Sequence, residues 1–441
     1  MGPVNRVVER FTPSALVFAI VLTFVVAILA LILTDATPAE VVTTWGDGLS
    51  GLLAFITQMS LILLLGYILA KTGPVQKGLR RLAALPSTPV RAYALVCLVA
   101  AVASLITWGL GLVVGALLAV EVAQQGRARG LKLHFPLLVA AGYSGYVVWH
   151  MGYSGSAPLT AATPDSFIAP YLDGVPLPVS QTTFSSWNMI AAVVTVAAVV
   201  SAMALVAPRK GDKIVELSAE ARGEDAAARR YDVETPADRI DASRLPTFLM
   251  GLMLVAYLFL HFMNGGTLTL DIVNWSFLTL ILLLVHHPFE LLDLTKEAAS
   301  NVGEILLQFP LYAGIMGIMA GTGLIKVLSD AFVSIATPET FGLLAFLSAG
   351  VVNLFVPSGG GQFAVQGPLL LETAGQLGVS PEIAVMALAY GDQWTNMVQP
   401  FWAIPVLAIA GLKMRDILGY TTLTLVVSGV VLAATLVIVS L

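Results

Sequence analysis

Long apolar runs recur from one end of the chain to the other, and the first of them covers residues 11–33. A helix of about 20 apolar residues spans the roughly 30 Å hydrocarbon core of a bilayer, whereas barrel strands would show alternating segments of about 10 residues. The composition agrees, because 57% of the residues are hydrophobic and only 11% are charged, against about 25% charged in soluble domains. The chain is therefore predicted to be an all-α polytopic membrane protein in contact with a lipid bilayer.

The scarcity of some residue types disfavours several classes of function. The single cysteine, Cys97, allows no intrachain disulfide and no cysteine-based metal cluster. The net charge of −5 comes without a basic stripe, so no nucleic-acid partner is expected. No cofactor is expected beyond a transported ion. A transporter, a channel or a membrane enzyme remains.

The positions of Lys and Arg predict which loops face the cytoplasm, where these residues accumulate. We expect nine crossings, with the N-terminus and the linker 208–245 in the cytoplasm and the C-terminus outside. The basic clusters are Arg6 and Arg10; Lys71, Lys77, Arg80, Arg81 and Arg91; Arg127, Arg129 and Lys132; the linker; and Lys413 with Arg415. The stretches without Lys or Arg, which should face outward, are 34–48, 162–186, 264–271, 329–341 and 372–382.

Two segments are predicted to enter and leave the membrane on the same side. Residues 92–123 have basic loops at both ends, and residues 341–372 have none at either end. Each would be roughly 48 Å long as one helix, which exceeds the hydrocarbon core. Glycine-rich breaks interrupt them at 107–111 and 357–362. Re-entrant helical hairpins fit these features better than one kinked helix or two short crossing helices.

The same order of parts occurs twice along the chain. QMSLILLLGYILAKTG (58–73) aligns with QFPLYAGIMGIMAGTG (308–323) at an offset of 250, with six identical residues. In both halves a helix is followed by a broken hairpin, a polar-broken helix and a further helix. The charge pattern gives the two copies opposite orientations, so the predicted fold has two inverted-topology repeats, as in secondary transporters. The predicted organisation is a first repeat, 1–207, a cytoplasmic linker with a connecting helix, 208–268, and a second repeat, 269–441.

The polar-broken, discontinuous transmembrane helices are expected at about 133–161 and 383–412. Backbone that leaves the helix at membrane depth is tolerated only where protein or a water-filled cavity satisfies it. Half-helix N-termini present free N–H groups and a positive dipole end to an anion. No Lys or Arg lies there, which favours a small, singly charged carboxylate. The candidate substrate-binding residues are Thr107, Trp108, Gly109, Ser144, His150, Ser154, Ser358, Gly359, Gly360, Gly361, Gln362, Trp394, Thr395, Asn396 and Gln399.

Asp392 is the acid that this pattern places deepest in the membrane, where an ionisable residue is costly and functional by default. We expect it in an unwound stretch from Tyr390 to Asn396, where it would couple transport to Na⁺ or to H⁺. The alternative is a protonated Asp that bonds to a neighbouring helix. His150 is expected either to relay protons or to donate one structural hydrogen bond. The candidate ion-coupling residues are Asp392, Ser144, Thr395 and Asn396.

At SGGGQFAVQGP (358–368) and AYGDQWTNMVQPFWAIP (389–405) the chain resembles the short-chain fatty acid uptake family of the ion transporter superfamily, and TWGLGL (107–112) and GLKMRDI (411–417) agree with it. The resemblance implies uptake of short-chain carboxylates such as butyrate or acetoacetate. It also implies a homodimer that moves like an elevator in a bacterial inner membrane. Thr-Trp-Gly and Ser-Gly-Gly-Gly stand where the dicarboxylate branch has Ser-Asn-Thr, so neither sodium coupling nor dicarboxylate binding is transferred.

The leading interpretation is a secondary active transporter of short-chain monocarboxylates, coupled to Na⁺ or H⁺. A carboxylate or anion channel is the first alternative, but paired inverted hairpins fit alternating access better than a fixed pore. A membrane-embedded hydrolase is the second, with Ser144, His150 and Ser358 as a conceivable triad. The chain has no nucleophile elbow and no HExxH metal motif to support it.

Overall fold

The computed structural model of the protein describes residues 15–209, 213–217, 233–300, 302–354, 356 and 358–441. All the regular elements within these ranges are helices. Three features discussed above therefore lie wholly or partly outside the described residues: the basic N-terminus with Arg6 and Arg10, Pro357 of the second glycine-rich break, and much of the linker 208–245.

The helices of the first half extend to residue 205. Two of the elements are 3-10 helices, Gly145–Met151 and Ala169–Tyr171. The α-helices are α1 Ala15–Leu33, α2 Pro38–Gly48, α3 Leu53–Lys71, α4 Gly73–Ala83, α5 Pro89–Ile106, α6 Trp108–Ala128, α7 Phe135–Ser144, α8 Ser156–Ala162 and α9 Ser186–Leu205.

The helices of the second half begin after the linker. They are α10 Pro236–Asp241, α11 Leu245–Met263, α12 Leu270–Leu284, α13 Pro288–Ala299, α14 Gly303–Gly321, α15 Leu324–Val333, α16 Pro338–Asn353, α17 Gly359–Leu377, α18 Pro381–Thr395, α19 Pro400–Ala410 and α20 Met414–Val439.

Thr-Pro pairs begin four of these helices. The threonine side chain accepts a hydrogen bond from the backbone N–H three residues later, and the proline occupies the first helical position. Threonine satisfies a donor that the helix leaves free, and proline has no N–H to lose there. The pairs that begin α2, α5, α10 and α16 are Thr37–Pro38, Thr88–Pro89, Thr235–Pro236 and Thr337–Pro338.

The first hairpin consists of α5 and α6, which separate at Thr107 and pack against each other. The chain turns back there, because Arg129, just after α6, reaches the loop that precedes α5. Its guanidinium donates to the carbonyl oxygens of Ala84, at 2.6 Å, and Pro86, at 3.2 Å. Both ends of the hairpin therefore lie on the same side of the molecule.

The second hairpin consists of α16 and α17, which contact each other and both pack on α18. It separates between Asn353 and Gly359, in the glycine-rich segment that the sequence indicates. Ser358 caps α17 by accepting a hydrogen bond from the Gly361 N–H at 3.3 Å. Each hairpin thus has a Ser or Thr at the N-cap position between its two packed helices, but only Ser358 makes a side-chain capping bond, since the Thr107 hydroxyl makes none.

Both polar-broken helices are discontinuous. The first consists of α7, the 3-10 helix Gly145–Met151 and α8, and the second consists of α18 and α19. The position of the second break differs from the sequence prediction, which placed the unwound stretch at Tyr390–Asn396. Helix α18 continues through Asp392 to Thr395, and the break covers residues 396–399 before Pro400. Pro400 sets the break because it begins α19 and cannot donate to the preceding helix.

The order of helices supports a duplicated architecture. Helices α1 to α9 have counterparts of the same order in α12 to α20, with α10 and α11 between the two sets. Among the described residues, six helices are long and apolar enough to cross a membrane, or seven with the bent pair Ile305–Gly321 and Leu324–Val333. The six include both arms of the first hairpin. Helix length therefore does not distinguish a re-entrant arm from a crossing helix, and the nine crossings stay a prediction.

Cysteine accessibility tests the predicted topology. In a Cys97→Ser background, Ser87→Cys and Ala128→Cys, at the exposed ends of the first hairpin, should both react with a membrane-impermeant maleimide only from the cytoplasmic side. Thr340→Cys and Ser380→Cys, at the ends of the second hairpin, should react only from outside. Reaction of the first two positions from opposite sides would show that α5 and α6 together cross the membrane.

Candidate functional site

A cavity of about 250 Å³ lies between the tips of the two hairpins. Its volume is just below the range of about 300–1,000 Å³ that is typical of sites for drug-sized ligands, so it suits a small molecule. Helices α3, α14 and α19 and the segment around Trp149 complete its walls. None of the described residues that line it is charged, and most are apolar or aromatic: Met59, Leu63, Tyr67, Trp108, Gly109, Leu112, Val113, Trp149, Ser156, Ser300, Ile305, Gln308, Phe309, Ser358, Gly359, Gly360, Phe401, Trp402, Ile404, Pro405 and Ile409.

The N-termini of α6 and α17 both open on this cavity, through Trp108 and Gly109 in one helix and Gly359 and Gly360 in the other. The first N–H groups of a helix have no acceptor within it and form the positive end of its dipole. The Trp108 N–H is satisfied by the Ser154 hydroxyl at 3.1 Å. The remaining first-turn N–H groups make this region suitable for an anion without any Lys or Arg.

Close packing explains the glycines at the tip of α17. A Cβ atom on Gly359 would lie 2.5 Å from the Trp149 ring, and one on Gly360 would lie 2.8 Å from the Phe55 ring. Phe55 is itself packed against Phe167 and Phe309, with ring centroids 5.3 and 6.0 Å away. Larger residues at these two positions would therefore displace the tip or the aromatic walls of the cavity.

A chain of hydrogen bonds leads from the cavity into the protein interior. The Ser156 hydroxyl lies 3.0 Å from His150 Nε2, and His150 Nδ1 lies 2.7 Å from Asp392 Oδ2. The side chains of His150 and Asp392 are completely buried. The Ala157 N–H also contacts Nε2, at 3.0 Å, and the His150 N–H donates to Gln393 Oε1 at the same distance. These contacts join the first broken helix to the second.

The contacts of the imidazole determine its tautomer. A backbone N–H can only donate, so Nε2 of His150 accepts from Ala157 and carries no hydrogen. The ring hydrogen of neutral His150 therefore lies on Nδ1 and is donated to Asp392. The other carboxylate oxygen, Asp392 Oδ1, is buried and has no hydrogen-bond partner among the described residues.

Asn353, the last residue of α16, connects the second hairpin to the second broken helix. Its Nδ2 lies 2.8 Å from the Asp392 carbonyl oxygen, 2.9 Å from Thr395 Oγ1 and 2.7 Å from Asn396 Oδ1. Thr395 Oγ1 in turn donates to the Gly350 carbonyl oxygen at 2.9 Å. Asn353 thus links α16 to the end of α18, where the helical hydrogen bonds stop.

Aromatic rings form a column along the 3-10 helix. Tyr143, Tyr146 and Trp149 are three residues apart and stack with centroids 6.1 and 5.9 Å apart. This spacing matches the 3-10 helix, in which side chains at i and i+3 eclipse each other. Trp402 contacts Trp108 edge-on at 5.3 Å, and the result is an aromatic wall that suits an aliphatic chain.

The residues predicted from the sequence occupy three different places. At the cavity are Trp108, Gly109, Ser358, Gly359 and Gly360. Ser154, His150 and Asp392 are hydrogen-bonded behind the cavity. Thr107 lies at the tip of the first hairpin, and Gly361 packs against Tyr312. Gln362, Trp394, Thr395, Asn396 and Gln399 are mostly buried in the packing of α16–α20.

The structure places Ser144 apart from the residues with which two sequence-based interpretations group it. Ser144 contacts Thr424 Oγ1 at 2.7 Å and has no contact with His150, so the triad of Ser144, His150 and Ser358 is not assembled. Three of the four proposed ion-coupling residues, Asp392, Thr395 and Asn396, are joined through the Asn353 amide. Ser144 is not part of this group, because its hydroxyl bonds to Thr424.

Several residues of the site are not among the predicted substrate-binding residues. Ser156 links the cavity to His150, and Trp149, Gln308, Phe309 and Trp402 line the cavity. Ser156 had one usable signal, since it follows the Gly-rich break at the start of a half-helix. The aromatic residues had none, because aromatic side chains occur throughout a membrane protein.

Comparison with known proteins supports the interpretation of the chain as a transporter. The sequence model of the family described as short chain fatty acid transporter matches residues 3–439. A protein of Escherichia coli strain K12 whose name assigns it short-chain fatty acid transport is 40% identical over 430 residues, which cover 97% of this chain and 96% of that one. A protein of Haemophilus influenzae with the same name is 36% identical and covers 95% and 94% of the two chains.

Two solved transporters have a similar fold. The YdaH transporter of Alcanivorax borkumensis superimposes with a TM-score of 0.59 at 14% identity, covering 96% of this chain and 98% of that one. MtrF of Neisseria gonorrhoeae, described with a class of antimetabolite efflux pumps, gives a TM-score of 0.60 at 16% identity and covers 97% and 96% of the two chains. At these identities the similarity extends to the fold alone.

The Asn353 contacts predict a loss of stability on truncation. Asn353→Ala should lower the free energy of unfolding by about 1–3 kcal/mol, because it leaves a buried carbonyl and a buried amide without their partner. The midpoint of thermal unfolding in detergent measures this effect. Asn264→Ala, in an exposed residue after α11, serves as the matched control and should change the midpoint little. Equal midpoints for the two variants would contradict the assigned role.

Proposed function

The chain belongs to the short-chain fatty acid transporter family, and from this premise we propose that it is a secondary active transporter of short-chain monocarboxylates such as butyrate and acetoacetate. The observation that carries the proposal is the small, largely apolar cavity between two helix N-termini, whose described lining residues are all uncharged. The family and its relatives are transporters and not enzymes, so the hydrolase interpretation is set aside.

The two ends of a short-chain carboxylate match the two kinds of cavity wall. The carboxylate would lie near the N-termini of α6 and α17, where the Gly359 and Gly360 N–H groups and the Ser358 hydroxyl are available as donors. The acyl chain would lie against the aromatic wall around Trp402. Binding through dipoles and hydroxyls is weaker than binding through a fixed cation, which suits a carrier that must also release its substrate.

The mechanism that we propose is elevator-type alternating access. The repeated order of helices in α1–α9 and α12–α20 supports two inverted repeats, each with a re-entrant hairpin and a discontinuous helix. We further propose a homodimer in the bacterial inner membrane, with the N-terminus cytoplasmic and the C-terminus outside. A carboxylate channel is the competing function, and saturable, gradient-dependent flux distinguishes a carrier from it.

Counterflow in proteoliposomes tests the transport function. Vesicles loaded with unlabelled butyrate should transiently accumulate labelled butyrate from outside, at a rate above that of protein-free liposomes, which report passive leakage. Gly360→Val should reduce this counterflow at least about tenfold without lowering the amount of folded protein, because the new side chain would collide with Phe55. Gly375→Ala is the matched control in the same helix, since no atom lies within 4 Å of its Cβ position. Counterflow equal to leakage in the unmodified protein rejects the proposal.

A co-transported cation, H⁺ or Na⁺, completes the proposed function. An anion that moves inward against a negative-inside potential costs about 2.3 kcal/mol per charge per 100 mV, and a cation removes that cost. Asp392 is the completely buried acid at the meeting point of the two broken helices, which supports its role in coupling.

Asp392→Asn preserves the shape of the side chain and removes its charge. Accumulation of butyrate driven by an ion gradient should fall to the level of leakage, while exchange of internal for external butyrate should persist at a reduced rate. Asp271→Asn, in an exposed acid that accepts a hydrogen bond from Gln58, should accumulate butyrate normally. Undiminished accumulation by Asp392→Asn would make that residue structural.

A further inference from the structure

The hydrogen-bonded chain behind the cavity has the form of a proton pathway. It begins at Ser156, which lines the cavity, continues through both nitrogens of His150 and ends at Asp392, with separations of 3.0 and 2.7 Å. Each link is an O–H or N–H group that faces an acceptor. Such a chain can transfer protons from one group to the next.

The end of this chain has a free acceptor. Asp392 Oδ2 accepts from His150, whereas Oδ1 is buried and has no partner among the described residues. A carboxylate with one unpaired oxygen in a dry interior is costly to keep ionised, and a proton on it removes that cost. Asp392 is therefore stable in this environment only when it carries a proton, and an ionised Asp392 requires a different environment.

Other ionisable groups do not compensate the pair. The Tyr146 hydroxyl is buried and has no hydrogen-bond partner among the described residues. In the hydrogen bonds and ion pairs of the described residues, no other charged side chain contacts His150 or Asp392. The titratable and charged residues on the surrounding elements α5, α6, α7, α16, α17, α18 and α20 are Arg91, Tyr93, Cys97, Glu121, Arg127, Tyr143, Glu339, Glu372, Glu382, Tyr390, Arg415, Asp416 and Tyr420.

We propose that the coupled cation is a proton, which Asp392 holds and which reaches it from the cavity through Ser156 and His150. This inference rests on the proposed transport of a monocarboxylate and names the ion that accompanies it. A bound anion makes a second negative charge nearby unfavourable in a medium of low dielectric. Substrate binding therefore draws a proton onto Asp392.

The transfer balances along the chain. A hydronium ion in the cavity gives a proton to Ser156 Oγ, whose own proton passes to His150 Nε2, while the Nδ1 proton passes to Asp392 Oδ2. Three N–H or O–H bonds break and three form, and the products are water, neutral Asp392 and a neutral imidazole protonated at Nε2. His150 is thus a relay that ends in the opposite tautomer.

The new tautomer has a structural consequence. An Nε2–H group would face the Ala157 N–H, which now donates to Nε2 at 3.0 Å. Two donors repel each other, so the start of α8, which carries Ser156 to the cavity, must shift. Proton loading is in this way linked to the shape of the substrate site.

Calorimetry of the full-length protein in detergent tests the inference without passive leakage of the acid. Butyrate binding is measured at one pH in buffers of different ionisation enthalpy, which gives the number of protons taken up. We expect about one proton per butyrate, with or without Na⁺. Asp392→Asn should still bind butyrate, with altered affinity, but with a proton count near zero. Asp392→Glu should restore the count, and the control Asp271→Asn should match the unmodified protein.

Three outcomes would overturn the inference. They are a proton count of zero in the unmodified protein, binding that requires Na⁺, and an undiminished count in Asp392→Asn. Failure of the unmodified protein to bind any butyrate would instead remove the proposed function, and this inference with it.

Stopped-flow measurements with a pH indicator test the route itself. Ser156→Ala should leave the equilibrium proton count near one but slow proton uptake relative to butyrate binding by about tenfold or more, because it interrupts the chain. If both rates are unchanged, the proton reaches Asp392 by a path that does not include Ser156.

Discussion

Every break in a membrane helix releases backbone N–H and C=O groups that lipid cannot satisfy. In this protein the polar side chains of the site supply the partners, so the hydrogen bonds that hold the fold are also those that build the site. His150 shows this most clearly, because it accepts from the backbone of α8 and donates to Asp392 of α18. At other breaks, Ser154 accepts a hydrogen bond from the Trp108 N–H, and Gln393 accepts one from the His150 N–H. Tyr143 donates to the Asn396 carbonyl oxygen, and Asn353 donates to the Asp392 carbonyl oxygen.

The sequence predicts the interruptions well where local chemistry determines them. Thr107 and Ser358 lie in the two glycine-rich breaks, and both stand at the N-cap position at the tip of a hairpin in the structure. The prediction fails at Gly391, which was expected to lie in an unwound stretch. This glycine lies within α18 and allows α16 to pack closely against it, because a Cβ atom there would lie 2.4 Å from the Phe346 carbonyl oxygen. Sequence alone does not distinguish a glycine that ends a helix from one that permits close packing.

The lining of the cavity was harder to predict because it depends on tertiary packing. Trp108, Trp149 and Trp402 come from three separate elements, and only the fold brings their rings together. The column of Tyr143, Tyr146 and Trp149 required knowledge that the segment is a 3-10 helix, since in an α-helix residues three apart are offset by about 60°. The hydrophobic pattern of a buried membrane segment contains no signal for that choice.

The described lining of the cavity contains no fixed positive charge, which affects how an empty carrier returns. With no Lys or Arg there, the charge that the empty site carries back is that of Asp392, and moving it through the membrane potential changes the energy by about 2.3 kcal/mol per charge per 100 mV. Under the proton mechanism proposed here, the loaded site holds a substrate anion and neutral Asp392, and the empty site holds ionised Asp392. Both states have the same net charge of about minus one by this count. The membrane potential then favours neither loading state over the other, and the pH gradient and the substrate gradient together set the direction of transport.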